Sequence, residues 1–87
     1  MAWDMKDRII EEPELMTLAK KFREASGKTQ VDAAREMDVA QPTLHQAEEQ
    51  PRQSLHRLRM RMIEAYSDYE VIGPVYLLRK KKSELNA

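Results

Sequence analysis

The side chains in this chain that can do chemistry outside a core are mostly amides and hydroxyls, not acids, bases and nucleophiles in working sets. Gln30, Gln41, Thr43 and Gln46 all fall within Thr29–Glu48, TQVDAAREMDVAQPTLHQAE. Such groups donate and accept hydrogen bonds, so they are suited to recognition. The 2 histidines, His45 and His56, have no carboxylate cluster at ligand spacing beside them, and no metal site is expected. The absence of cysteine excludes disulfides, thiolate zinc sites and a cysteine nucleophile. Ser26 and Ser54 fit helix ends. No nucleophile–base–orienter set, glycine-rich phosphate loop or paired carboxylates can be found. The reading is therefore not an enzyme and not a cofactor protein. The 6 methionines fall at core-like spacings and read as packing filler.

The recognition-type side chains need rigid elements, and the local signals supply them. Thr29 with Asp32 resembles a capping box that opens a helix whose inner face is Ala33, Ala34 and Met37. Asp38 occupies a tight turn and Val39 plugs it. A second short helix starts near Gln41, with Pro42 in its first turn and Leu44 and Ala47 pointing inward. Thr43, His45 and Gln46 are left outside, and Pro51 prevents continuation. Upstream, Pro13 suits a first helical position, and Glu11, Glu12 and Glu14 complement the helix dipole. Leu15, Leu18, Ala19, Phe22 and Ala25 form one apolar stripe, with Lys20, Lys21 and Arg23 assigned to the other side. Gly27 ends this helix. Downstream, Ser54 reads as the N-cap of a helix carrying Leu55, Leu58, Met62, Ile63 and Tyr66 inward.

Three segments follow: a flank over 1–12, a helical domain over 13–68, and a strand with a basic tail over 69–87. Trp3, Met5 and Ile9 alternate with polar residues as in a short strand, although Trp3 and Ile10 also fit one helix face. Tyr69, Val71, Ile72, Val75, Tyr76, Leu77 and Leu78 are strand formers interrupted by Gly73-Pro74. Proline is excluded from central strands, which favours a kinked edge strand over a tight hairpin. An apolar edge of this kind invites pairing with a second copy. Residues 1–27 carry five basic and six acidic groups, residues 28–51 two and five, and residues 52–87 eight and four, so a neutral chain is +4 in its last part. Arg52, Arg57, Arg59, Arg61 and the run Arg79–Lys82 make that part a phosphate footprint or a solvated face. No run approaches the roughly 18 apolar residues of a spanning helix, and no signal segment opens the chain. A cytoplasmic protein of one domain is expected, with no membrane partner.

Thr29-Gln30, Ala34, Asp38, Val39, Gln41-Pro42-Thr43, Leu44 and Glu48 together resemble the lambda-repressor/Cro-like helix-turn-helix family, also called the xenobiotic-response-element (XRE) type. The resemblance covers roughly Leu15 to Tyr66. It implies a mainly α, four-to-five-helix DNA-binding domain whose C-terminal β-strand serves dimerisation. It also implies a sequence-specific transcriptional regulator, a repressor, reading the major groove of an operator with helix 41–49 as a homodimer. On that resemblance Gln41, Pro42, Thr43 and Gln46 take the base-reading positions, and Gln30 takes a phosphate-contacting one. For His45, on the outer face of the same helix, a base contact, a phosphate contact and a solvated ring all stay open. Lys28 and Arg52 flank the reader as phosphate candidates. Glu48 is expected to pair with a basic group such as Arg35. Asp38 stands where the family has glycine, Ala40 where it has a hydroxyl cap, and Glu48-Glu49-Gln50 where it has Glu-Asn-Gly. The extended tail also resembles that of phage Cro-like regulators and of helix-turn-helix antitoxins. An antitoxin or co-regulator acting on a toxin or other protein partner is accordingly the alternative function.

Overall fold

The computed structural model describes residues 8–51, 53–73 and 76–81. Its elements in chain order are β1 (Arg8–Ile10), α1 (Glu12–Ala25), α2 (Gln30–Met37), α3 (Gln41–Glu49), a 3-10 turn (Gln53–Leu55), α4 (His56–Ala65), β2 (Tyr69–Ile72) and β3 (Tyr76–Lys80). The fold is mainly helical, with one small antiparallel sheet in the order β1-β3-β2. The readings at Trp3, Met5, Arg52, Pro74, Val75 and Lys82 lie outside the described residues.

The local signals act where they were read. The Glu11 amide donates to the Glu14 carboxylate at 2.9 Å and opens α1. Gly27, at φ 75°, adopts a left-handed conformation just past the end of α1. The reciprocal bonds Asp32 N–H to Thr29 Oγ1 (3.0 Å) and Thr29 N–H to Asp32 Oδ2 (3.1 Å) open α2. Asp38 turns the chain in the left-handed region at φ 60°, ψ 48°, and Val39 donates back to Ala34 at 2.9 Å. Ala40 precedes α3 without a side-chain cap. One start differs. Leu55, not Ser54, precedes α4, because the chain leaves Pro51 through a 3-10 turn before the α-helix begins.

Leu15, Leu44, Met62, Ile63 and Leu78 are fully buried, one or more from α1, α3, α4 and β3, so one core spans helices and sheet. Each such side chain contributes roughly 1.5–3 kcal/mol by leaving water. The sheet joins that core through Ile10, Val71 and Leu78 on its inner face.

Residues 69–80 correct the single kinked edge strand. β2 and β3 form an antiparallel pair, Val71 opposite Leu78 and Ile72 opposite Leu77. β3 also pairs with β1, Ile9 opposite Leu77. β3 is thus the central strand, and its hydrogen-bonding groups are used within the chain. Only long-range pairing with residues 8–10 makes it so, and no local signal specifies that. The edge of β2 is partly closed as well, since Glu64 accepts the Val71 N–H at 3.0 Å.

Candidate functional site

The positions marked by the sequence converge on α2 and α3, joined through the turn at Asp38 and held from below by a buried ion pair. Arg23 of α1 donates to Glu48 of α3 twice, Nε to Oε2 at 2.5 Å and Nη2 to Oε1 at 3.0 Å. The Glu48 side chain is 0% exposed and that of Arg23 8%. The hydrogen bond to Glu48 holds the Arg23 proton more firmly than in an ordinary guanidinium. Arg23 also donates to the carbonyl of Lys28 at 2.7 Å, which fixes the approach to α2. Two expectations are corrected here. Glu48 pairs with Arg23 and not with Arg35, whose side chain is 73% exposed on α2. Arg23 is not on the solvent side of α1; it follows Leu15 and Ala19 at steps of four, so it shares their buried face. That spacing was the signal for it.

The polar network continues outward from Glu48. Gln30 Nε2 donates to Glu48 Oε1 at 2.9 Å and lies 3.4 Å from His45 Nδ1. Gln41 Nε2 donates to Gln30 Oε1 at 3.2 Å. One amide at the start of α2 therefore ties together two exposed side chains, Gln41 and His45, one turn apart on α3. Pro42 is exposed, and Thr43 and Gln46 are half-buried on the same helix. Gln30 is thus committed inside the protein and not simply presented to solvent.

The basic candidates are more constrained than their charges suggest. Lys28 donates to Glu36 at 2.8 Å, and Lys20 to Glu49 at 2.8 Å. Glu49, the carboxylate that would repel an anion beside α3, is neutralised in this way. Glu36 also accepts the Tyr66 hydroxyl at 2.5 Å, which ties α2 to the end of α4. Arg59 is 2% exposed and leaves the phosphate footprint altogether. Its Nε donates to the Ala47 carbonyl at 2.7 Å and its Nη2 to the Gln50 carbonyl, so it caps the C-terminal end of α3. Burial pushes its guanidinium downward from the usual range. Sequence reasoning missed this role, although Arg59 falls one turn before the buried Met62 and Ile63. Arg61 donates to the last carbonyl of α2, at Met37, at 2.8 Å. Arg79 pairs with Glu70 (2.7 Å), Lys80 with Asp68 (3.3 Å), and Lys81 donates to the Glu64 carbonyl.

A cleft of about 210 Å³ opens between the start of α1 and the α3–α4 connection, lined by Glu12, Pro13, Met16, Pro51 and Arg59. Its lining brings together one acid, one committed guanidinium and apolar surface. Among the described residues, no helix is long and apolar enough to cross a membrane. The chain matches no protein-family model, no curated protein and no solved structure.

Proposed function

We propose that this chain is a sequence-specific DNA-binding regulator, a repressor of the lambda-repressor/Cro-like helix-turn-helix type. It reads the major groove with α3 and acts as a homodimer. The observation that carries the reading is the Gln30-centred network. It holds Gln41 and His45 in one orientation on an exposed helix two turns long, on a foundation of buried Arg23–Glu48. A groove reader needs such a surface: polar, narrow and preoriented. Lys28 is the flanking cation that would exchange its carboxylate for a phosphate. Phosphate contacts of that kind set register and affinity without selecting sequence.

The test is fluorescence anisotropy with duplexes from the DNA upstream of the coding sequence. The expected result is binding whose logarithm falls linearly with the logarithm of salt concentration. Gln41→Ala combined with Gln46→Ala should weaken it by at least about tenfold, the equivalent of roughly 1.4 kcal/mol. Absence of binding at low salt, or indifference to the double substitution, would sink the reading.

A second reading is favoured by a different observation. Ile9 is 73% exposed on the outer face of the sheet, in register with Leu77 and Ile72. With Lys20 and Lys28 paired to carboxylates and the net charge zero, a module that binds a partner protein, as an antitoxin or co-regulator does, uses this face. Co-purification with the product of the adjacent gene separates the two, and they are compatible.

A further inference from the structure

The Gln30 amide nitrogen carries two hydrogens, and each has a neighbour. One goes to Glu48 Oε1 at 2.9 Å and the other lies toward His45 Nδ1 at 3.4 Å. The amide cannot be turned over at low cost. Glu48 is a buried carboxylate bonded to Arg23, and reversal would set a carbonyl oxygen against it. It would also put an N–H where Gln30 Oε1 now accepts from Gln41. With the amide fixed, a donor faces His45 Nδ1 at 3.4 Å, and in the neutral ring that nitrogen accepts. The neutral ring proton then sits on Nε2. His45 is exposed, and with Nδ1 turned to Gln30 the donor left for a ligand is Nε2–H.

Resting on the DNA-binding reading above, the geometry points to His45 as a specificity-determining residue that donates through Nε2 to guanine in the major groove. Guanine presents two adjacent acceptors there, O6 and N7, with no donor between them. Adenine sets a donor beside its N7, thymine crowds its O4 with a methyl group, and cytosine shows only a donor. A lone donor therefore fits guanine best and cytosine worst. Gln41 differs, because its amide keeps one N–H and its carbonyl after the bond to Gln30. It offers a donor and an acceptor, whereas His45 offers a donor alone. The two side chains read different bases because one glutamine has already used part of each.

The experiment is enrichment of a randomised DNA duplex library by the full chain and by two variants, followed by anisotropy on the enriched duplexes. The wild type should enrich a guanine at one position of each half-site. His45→Ala should lose that preference alone, with affinity for the guanine duplex down on the order of tenfold. His45→Glu places an acceptor there and should move the preference to cytosine, whose N4 amine donates. An unchanged motif in His45→Ala overturns the assignment. So does a uniform loss across all duplexes, which marks a phosphate contact instead. A wild type that enriches no motif at all sinks the DNA-reading function, and this assignment falls with it.

Discussion

The α2–α3 pair and the three-stranded sheet lean on the same core from different elements and are held by opposite means. Beneath α3 the decisive groups are polar and directional: the charged pair Arg23 and Glu48 and the amide of Gln30, joined by hydrogen bonds. Beneath the sheet they are Ile10, Val71 and Leu78, held by burial that has no direction. The outer surfaces follow the same division. Gln41 and His45 are held by hydrogen bonds, while Ile9, with the half-buried Leu77 and Ile72 beside it, presents apolar area. A surface that discriminates by hydrogen bonding needs orientation, and one that docks needs apolar area. On the reading proposed above, the molecule has one of each.

The largest expected effect tests the directional half. Glu48→Ala leaves a buried guanidinium without its partner and should cost about 3–5 kcal/mol in denaturant unfolding. Replacing both members together, Arg23→Met with Glu48→Leu, removes the uncompensated charge and should recover most of that loss. The double variant would still lack the anchor that orients Gln30, so base preference should stay impaired while stability returns. If selectivity also returned, the ion pair would be a stability device and the contrast between the regions would collapse. Leu78→Ala tests the other half. It should cost about 2–5 kcal/mol, the range for a buried leucine that leaves a cavity, and it should leave base preference intact.

A smaller effect lies at the start of α2. Thr29→Ala removes the hydroxyl cap, a loss of about 1 kcal/mol at a typical helix start. The same site carries part of the acid dependence. Asp32 titrates below its ordinary value because of its hydrogen bonds to the Thr29 amide and hydroxyl. Glu36 does so because of Lys28 and Tyr66, and Glu49 because of Lys20. A lowered carboxylate contributes stability that is complete above its unfolded value and is lost as pH falls through the folded one. Stability should therefore decline on acidification below about pH 4, and α2 amide hydrogen exchange should quicken with it. In Thr29→Ala that decline should be shallower, since Asp32 has lost one of its bonds.

The two regions also differ in how far they can be read from the chain. The capping pair Thr29–Asp32, the left-handed Asp38, the stop at Pro51 and the inward Leu44 and Ala47 all stand within a few residues of what they do. Signals of that range are legible. The sheet is not, because β3 becomes central only through pairing with residues 8–10, nearly seventy positions away. Strand-forming residues at 69–78 were visible, and a short strand through Ile9 was one of two readings of the flank, but the pairing of the two was not. Buried charge fell between the two. Arg23 and Arg59 occupy helix positions whose spacing places them inside, yet their charge argued for the surface. The partners that make burial tolerable, Glu48 and the Ala47 and Gln50 carbonyls, come from another helix. The Gln30 network was out of reach for the same reason, since it joins residues 11 to 18 apart.

The smallest change in stability should come from Ile9→Thr, and it bears most directly on what the sheet surface is for. Ile9 is largely exposed, and threonine keeps the β-branched shape suited to a strand. Unfolding of a monomer should therefore move by no more than about 0.5 kcal/mol. Association is another matter. If two copies meet over Ile9, Leu77 and Ile72, the hydroxyl is carried into an apolar contact, and the dimer weakens while each subunit keeps its stability. Sedimentation across a range of concentrations should then show dissociation at higher concentration for the variant than for the wild type. DNA affinity should fall with it, since two half-sites would no longer be read together. A wild type that stays monomeric throughout would remove the homodimer and leave the face to a different protein. A dimer that ignores the substitution would put the contact elsewhere, and the division between a reading surface and a docking surface would have to be redrawn.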